Sequence, residues 1–203
     1  MGTTPLTCAV HGHRHPVTDQ TVRVSDVVVL LGAPGSGKTT VGEELARRGL
    51  RWREWELWML ERWGSRQAFL AVKAEALPEL HRAIRAWLAE PGPPAAIEST
   101  GLSDAAFLDA LAGEHRCLVV RLDVSYDDAL ARVTTRARGR HLGDDPGGLR
   151  PVWQAFDQVV VPARPVDLVI DTARIPPAHA AALLAGMVRR RARRRPAPVA
   201  PRR

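Results

Sequence analysis

The sequence predicts an α/β protein, a five-stranded parallel sheet with helices on both faces, and three observations predict it. Short apolar runs rich in β-branched residues alternate five times with helical stretches, the order a parallel sheet needs because every crossover must return the chain to the same end. The first run, Val27–Leu31, is apolar throughout, as a strand buried on both faces must be. It leads directly into Gly32-Ala-Pro-Gly-Ser-Gly-Lys38-Thr39, a glycine-rich bend that opens a helix. The 203 residues suit one globular domain with tails.

Each element follows from its residues. Residues 1–22 are polar and irregular. Thr39–Arg48 places Val41, Leu45 and Ala46 on one helical face and stops at Gly49. Leu50–Arg53 reads as a short second strand. Glu56–Trp63 and Gln67–Leu88 are helical, interrupted at Gly64-Ser65 and tested by Pro78. Pro91-Gly-Pro-Pro94 is a turn, after which Ala95–Ile97 forms a third strand ending at Glu98. A Ser103 cap starts a helix over Asp104–Ala112. Cys117–Leu122 is the fourth strand and Tyr126–Thr135 the next helix. Arg136–Arg150 is rich in Gly, Arg and Asp and lacks periodicity, which predicts a mobile loop. Val152–Val161 is helical, Val166–Ile170 is the fifth strand, and Ala178–Arg195 is a last helix running into its own arginines. This gives three regions: an irregular segment 1–22, a domain 23–188, and a disordered Arg/Pro-rich tail 189–203.

Charge narrows the function classes. The net charge is +7, yet residues 189–203 hold eight arginines and no acid, so the other 188 residues sum to −1. The basicity belongs to the tail. Nucleic acid is therefore not expected as a partner beyond weak contact by that tail. No apolar run reaches the ~18–20 residues of a membrane span, and no signal peptide is evident, so a soluble cytoplasmic protein is expected. Cys8 and Cys117 are the two cysteines, too few for a disulfide framework. Cys8, His11, His13 and His15 have metal-ligand chemistry, but no second cysteine pair and no flanking core, and the reading is structural. Among 29 basic residues only Lys38 and Lys73 are lysines. An arginine thus carries little functional weight here, and Lys38 sits in the strongest motif.

That motif matches G-x-x-x-x-G-K-[ST], between a strand and a helix as the pattern requires. Gly32, Gly35 and Gly37 let successive N–H groups turn inward, and these, with the helix N-terminus, form an anion nest. Gly32, Ala33, Pro34, Gly35, Ser36, Gly37, Lys38, Thr39 and Thr40 are the expected nucleotide-binding residues. Lys38 would reach the terminal phosphates and the Thr39 hydroxyl would ligand Mg²⁺.

With that loop on one of five parallel strands, residues 26–175 resemble the small P-loop kinases of the shikimate, gluconate and adenylate kinase group. They are also similar to bacterial members of that group known only as AAA family ATPases. The resemblance implies a nucleoside-kinase-like three-layer sandwich with ATP and Mg²⁺ as cofactors. It also implies an acceptor-side helical segment over 54–90 and a lid over 136–150. Shikimate-kinase-like proteins carry an aromatic and two acids spaced by one residue after the second strand. Here Trp52-Arg53-Glu54-Trp55-Glu56 stands in that place. The resemblance gives Glu54 a water-relayed Mg²⁺ role and lets Glu56 contact or deprotonate the acceptor hydroxyl. Alternation along a strand would aim both acids to one side. The family has Asp there, and Glu reaches one methylene further.

Glu98 closes the third strand, where many P-loop proteins place an acid that orients a metal-bound water or the attacking group. Shikimate kinases have a glycine-rich turn there instead, of which Thr100-Gly101 keeps part. Arg132, Arg136, Arg138 and Arg140 lead into the resembled lid, with Arg136 and Arg140 as the foremost candidates for the migrating phosphate. Arg150 and Arg164 could hold an acidic group. Asp123 reads as structural. Trp52, Trp55, Trp58 and Trp63 crowd one segment and read mainly as packing, while Arg62 and Arg66 could meet an anionic acceptor.

The expected function is ATP- and Mg²⁺-dependent phosphoryl transfer to a small-molecule hydroxyl, with Lys38, Glu56, Glu98, Arg136 and Arg140 carrying it. The alternatives are a P-loop ATPase or nucleotide-switched regulator without a metabolite acceptor, and a nucleic-acid module run by the tail. Neither the acceptor nor the oligomeric state follows from the sequence.

Overall fold

The computed structural model describes residues 26–136 and 146–193. Its centre is a five-stranded, all-parallel sheet of β1 (Asp26–Leu31), β2 (Arg51–Trp52), β3 (Ala95–Ser99), β4 (Arg116–Asp123) and β5 (Leu168–Asp171), in the order β2-β3-β1-β4-β5. Strand β1 lies in the middle, with Val29 paired to Ile97 on one side and Val119 on the other. The helices are α1 (Lys38–Arg47), α2 (Trp55–Trp63), α3 (Arg66–Ala71), α4 (Lys73–Ala89), α5 (Ala105–Glu114), α6 (Tyr126–Thr135), α7 (Pro146–Ala155), α8 (Val161–Ala163) and α9 (Pro177–Arg193), with a π-helical stretch, Phe156–Val160, between α7 and α8.

The alternation of β1 divides the core in two. Val27, Val29 and Leu31 face one layer, built with Trp55, Met59, Ile84 and Leu111 from α2, α4 and α5. Val28 and Leu30 face the other, built with Val41 and Leu45 of α1 and Leu184 and Val188 of α9. All six residues of β1 are buried, which explains the unbroken apolar run. Burying each large aliphatic side chain contributes ~1.5–3 kcal/mol. Gly42 of α1 lies against the Trp52 ring so closely that any side chain would strike it.

The structure departs from several sequence expectations. Pro78 does not break the acceptor-side helix. It sits exposed inside α4, where the freed carbonyl can take water, and the break falls at Val72. Ser103 does not cap α5, since Asp104 holds the cap position and the Ser103 hydroxyl accepts from Lys73 Nζ at 2.7 Å. The loop expected over 136–150 is already helical from Pro146, because Leu149 is buried with Ala129 and Val133 of α6. Residues 189–193 belong to α9, not to a separate tail, and Arg191 donates to the Cys117 carbonyl (3.0 Å) and Asp167 (3.2 Å). Residues 1–25, 137–145 and 194–203 lie outside the described residues, and with them Arg138, Arg140 and the Cys8/His11/His13/His15 cluster. Among the described residues no helix is long and apolar enough to cross a membrane.

Candidate active site

The site grows from the bend after β1. Gly35 and Gly37 have φ of +83° and +89°, a region that side-chain-bearing residues enter only with strain. A Cβ on Gly35 would also stand 2.7 Å from the Ala129 carbonyl oxygen of α6, so glycine is required there twice over. Ser36 N–H donates to Ala33 O at 3.1 Å and closes the turn. No side chain caps α1 at Gly37, which leaves the helix's positive end open to an anion. The Ser36 hydroxyl is fully buried in the bend without a hydrogen-bond partner among the described residues. The inward-turning bend and the uncapped end of α1 fit a polyphosphate.

Lys38 is only 8% exposed, and its Nζ donates to Gly32 O (2.8 Å) and Ala33 O (3.2 Å). Burial pulls its ammonium below its ordinary value, while Glu98 and Glu56 pull the other way. Next to it, Thr39 Oγ1 donates to Glu98 Oε2 at 3.3 Å. A hydroxyl, one or two carboxylates and substrate phosphates make up the donor set Mg²⁺ favours, so these residues fit that ion.

Two cavities meet at this point. A cleft of about 370 Å³ runs along the bend and is lined by Lys38, Thr39, Thr40, Glu54, Arg132 and Arg136. A second cavity of about 260 Å³ lies towards α2, α4 and α5. Pro34, Lys38, Glu56 and Glu98 line both. The structure therefore brings Lys38, Thr39, Glu54, Glu56, Glu98 and Arg136 to one cleft. The reason for the Glu54/Glu56 pair differs from strand alternation. β2 ends at Trp52, Glu54 is the N-cap of α2, and Glu56 lies in its first turn.

Other candidates are engaged in structural contacts or stand at the edge of these spaces. Arg132 donates to Gly35 O (3.2 Å), Thr172 Oγ1 (3.0 Å) and Thr172 O (3.0 Å), tying the bend to the turn after β5. Arg150 stacks over the Tyr126 ring at 4.1 Å. Arg164 donates to Ala105 O and pairs with Asp109, both at 3.0 Å. Arg62 pairs with Glu79, while Arg66 lines the second cavity. Asp123 holds Arg121 through both carboxylate oxygens. Trp55, Trp58 and Trp63 join Phe69 and Trp87 in edge and tilted contacts.

The sequence reading missed most of the second cavity, including Met59, Phe69, Lys73, His81, Asp104 and Phe107. Periodicity marks such residues as core and cannot show that the core leaves a hollow. Lys73, one of two lysines, was the single compositional signal available. Glu43, which also lines the cleft, was missed as well.

Comparison with known proteins places these features. The family model described as AAA domain matches residues 28–145. A shikimate kinase of Frankia casuarinae is 42% identical over 121 residues, an alignment covering 57% of this chain and 52% of that protein. The chain thus spans about half the length of that curated relative. Among solved structures, shikimate kinase from Bacteroides thetaiotaomicron superposes with a TM-score of 0.62 at 15% identity, covering 80% of this chain and 98% of the other. A gluconokinase from Sinorhizobium meliloti 1021 gives 0.53 at 20% identity, covering 83% and 98%. At these identities the structural likeness speaks for the fold.

Proposed function

Since this chain belongs to the AAA domain family, we propose that it is an ATP-dependent small-molecule kinase that transfers the γ-phosphoryl group to a hydroxyl. The observation carrying this reading is the shared wall: Lys38, Glu56 and Glu98 line both the cleft at the phosphate loop and the neighbouring cavity. A donor phosphate and an acceptor hydroxyl held in the two spaces would meet at these side chains.

In this reading the open amides of the bend take the β- and γ-phosphates. Lys38 leaves its two carbonyls and turns to the phosphate oxygens. Thr39 and Glu98, together with Glu54, would hold Mg²⁺, which when bound would supply charge neutralisation on the phosphate tail. Glu56 accepts the proton of the acceptor hydroxyl as that oxygen bonds to the γ-phosphorus and the bond to the ADP oxygen breaks. Arg136, at the end of α6, faces the same cleft and stabilises charge on the transferring group, with Arg140 as a second guanidinium from the lid segment. The apolar cavity beside the wall favours an acceptor molecule over water.

The test is ADP release by the purified protein with ATP and Mg²⁺, with and without a panel of small alcohols and sugars. An acceptor should raise release well above the acceptor-free rate, and Lys38→Ala should abolish it. Glu56→Gln should keep nucleotide affinity and lower transfer about 10²–10⁴-fold. Turnover indifferent to every acceptor would instead assign the protein to hydrolysis.

A further inference from the structure

Resting on the phosphotransfer reading above, we propose that the acceptor is a neutral alcohol whose body is a single apolar ring, aromatic or alicyclic, and not a sugar acid. Three observations support this. The first is the lining: Met59, Phe69, Leu77, Leu80, Ile84 and Phe107 form an apolar part of the cavity's wall, while Arg66, Lys73, His81, Ser99, Thr100, Ser103 and Asp104 supply its polar part away from the phosphate loop. The apolar side chains match an apolar ring and offer no hydrogen bonds to a ring of hydroxyls. Each sugar hydroxyl buried against them would lose its water without replacement.

The second is charge. Among the described residues the cations lining the cavity are Lys38, Arg66 and Lys73, against the acids Glu56, Glu98 and Asp104. Lys38 belongs to the phosphate loop. Arg66 is exposed, and Lys73 already donates to the Ser103 hydroxyl. No buried guanidinium among the described lining residues can grip a carboxylate in the two-pronged way that acid recognition uses. An acid's charge would also add to that of the phosphates.

The third is size and polarity. The cavity's 260 Å³ exceeds the ~150 Å³ of an apolar cavity that takes benzene, room for one substituted ring. Trp55 Nε1, His81 Nε2 and Asp104 Oδ1 are buried without hydrogen-bond partners among the described residues. Trp55 is 2% exposed, and His81 stacks flat on Phe107 at 4.1 Å. These atoms suit one or two polar substituents, not a full set of hydroxyls.

Binding and transfer are measured separately on the full chain with ADP or ATP present. Saturation-transfer NMR titrations compare benzyl alcohol and cyclohexylmethanol with gluconate and shikimate. The ring alcohols should bind about 10-fold more tightly or better. Leu77→Trp, which fills the cavity, should remove that binding while ADP affinity is kept. Leu70→Asp, at an exposed position on the rim, should weaken it several-fold and serves if the first variant loses ADP binding. Tighter binding of gluconate or shikimate, or no binding of either ring alcohol, overturns the proposal whatever the turnover. Ring alcohols that bind without being phosphorylated would overturn their assignment as acceptor, while the kinase reading falls separately, only if turnover ignores every acceptor of the wider panel.

Discussion

Thr39 Oγ1 and Glu98 Oε2 lie 3.3 Å apart, joining the first turn of α1 to the end of β3, residues 59 positions apart in the chain. Neither group is held by its own element alone. The bond orients two oxygens that face the cleft at the start of α1.

Thr39→Ala and Glu98→Gln should therefore act alike. Each should weaken the apparent affinity for Mg²⁺ about 10–100-fold while leaving the melting temperature close to that of the parent. Metal titration of ADP release, with thermal melting alongside, checks both. Unchanged metal dependence in Glu98→Gln would transfer that role to Glu54.

Arg132 makes three hydrogen bonds from one guanidinium, to Gly35 O and to both oxygens of Thr172. It is a positioning residue that clamps the bend to the turn after β5. Arg132→Ala should lower unfolding free energy by about 1.5–3 kcal/mol and raise KM for ATP more than it lowers kcat. Arg132→Lys cannot span the same acceptors and should recover only part of the loss. Urea unfolding and initial rates give the two readouts.

Stability should fall in mild acid. Burial pushes the imidazoles of His81 and His115 below 6.5, with Asp104 and Glu114 opposing it. Unfolded chains then bind protons at a pH where the folded rings stay neutral. The stabilising contribution is complete above pH 6.5 and is lost as pH drops from there through the lowered folded values. The urea midpoint of the parent should thus decline from pH 7.5 to 5.5, and His81→Gln should decline less.

Cys117 should be an inert thiol. Burial, reinforced by Asp167 and opposed by Arg191, pushes it up to about 11. In a Cys8→Ser background, alkylation by iodoacetamide at pH 7.5 should be slower than in the urea-unfolded chain by roughly 10²–10³-fold, the ratio of the thiolate fractions. Mass spectrometry of timed samples measures both rates.

The fold was legible because its signals are local. The apolar run at Val27–Leu31, the glycines of the bend and the strand–helix alternation each depend on a few neighbouring residues. The glycine-rich bend followed, since residues 32–40 are contiguous in the chain. The second cavity did not, because it is assembled from α2, α3, α4, α5 and α7. Phe69, Ile84 and Phe107 look like any core residues until packing shows what they surround. Burial outweighed local composition at Leu149, which draws the glycine-rich stretch after Pro146 into a helix. The same holds at Pro78, whose missing N–H is tolerated on an exposed face.

The grip of Lys38 on the Gly32 and Ala33 oxygens has a consequence for binding. A nucleotide entering the bend does not find a loose cation waiting for it. On the kinase reading, a phosphate tail would have to draw the ammonium off these two carbonyls, so part of its attraction would be spent on displacing them.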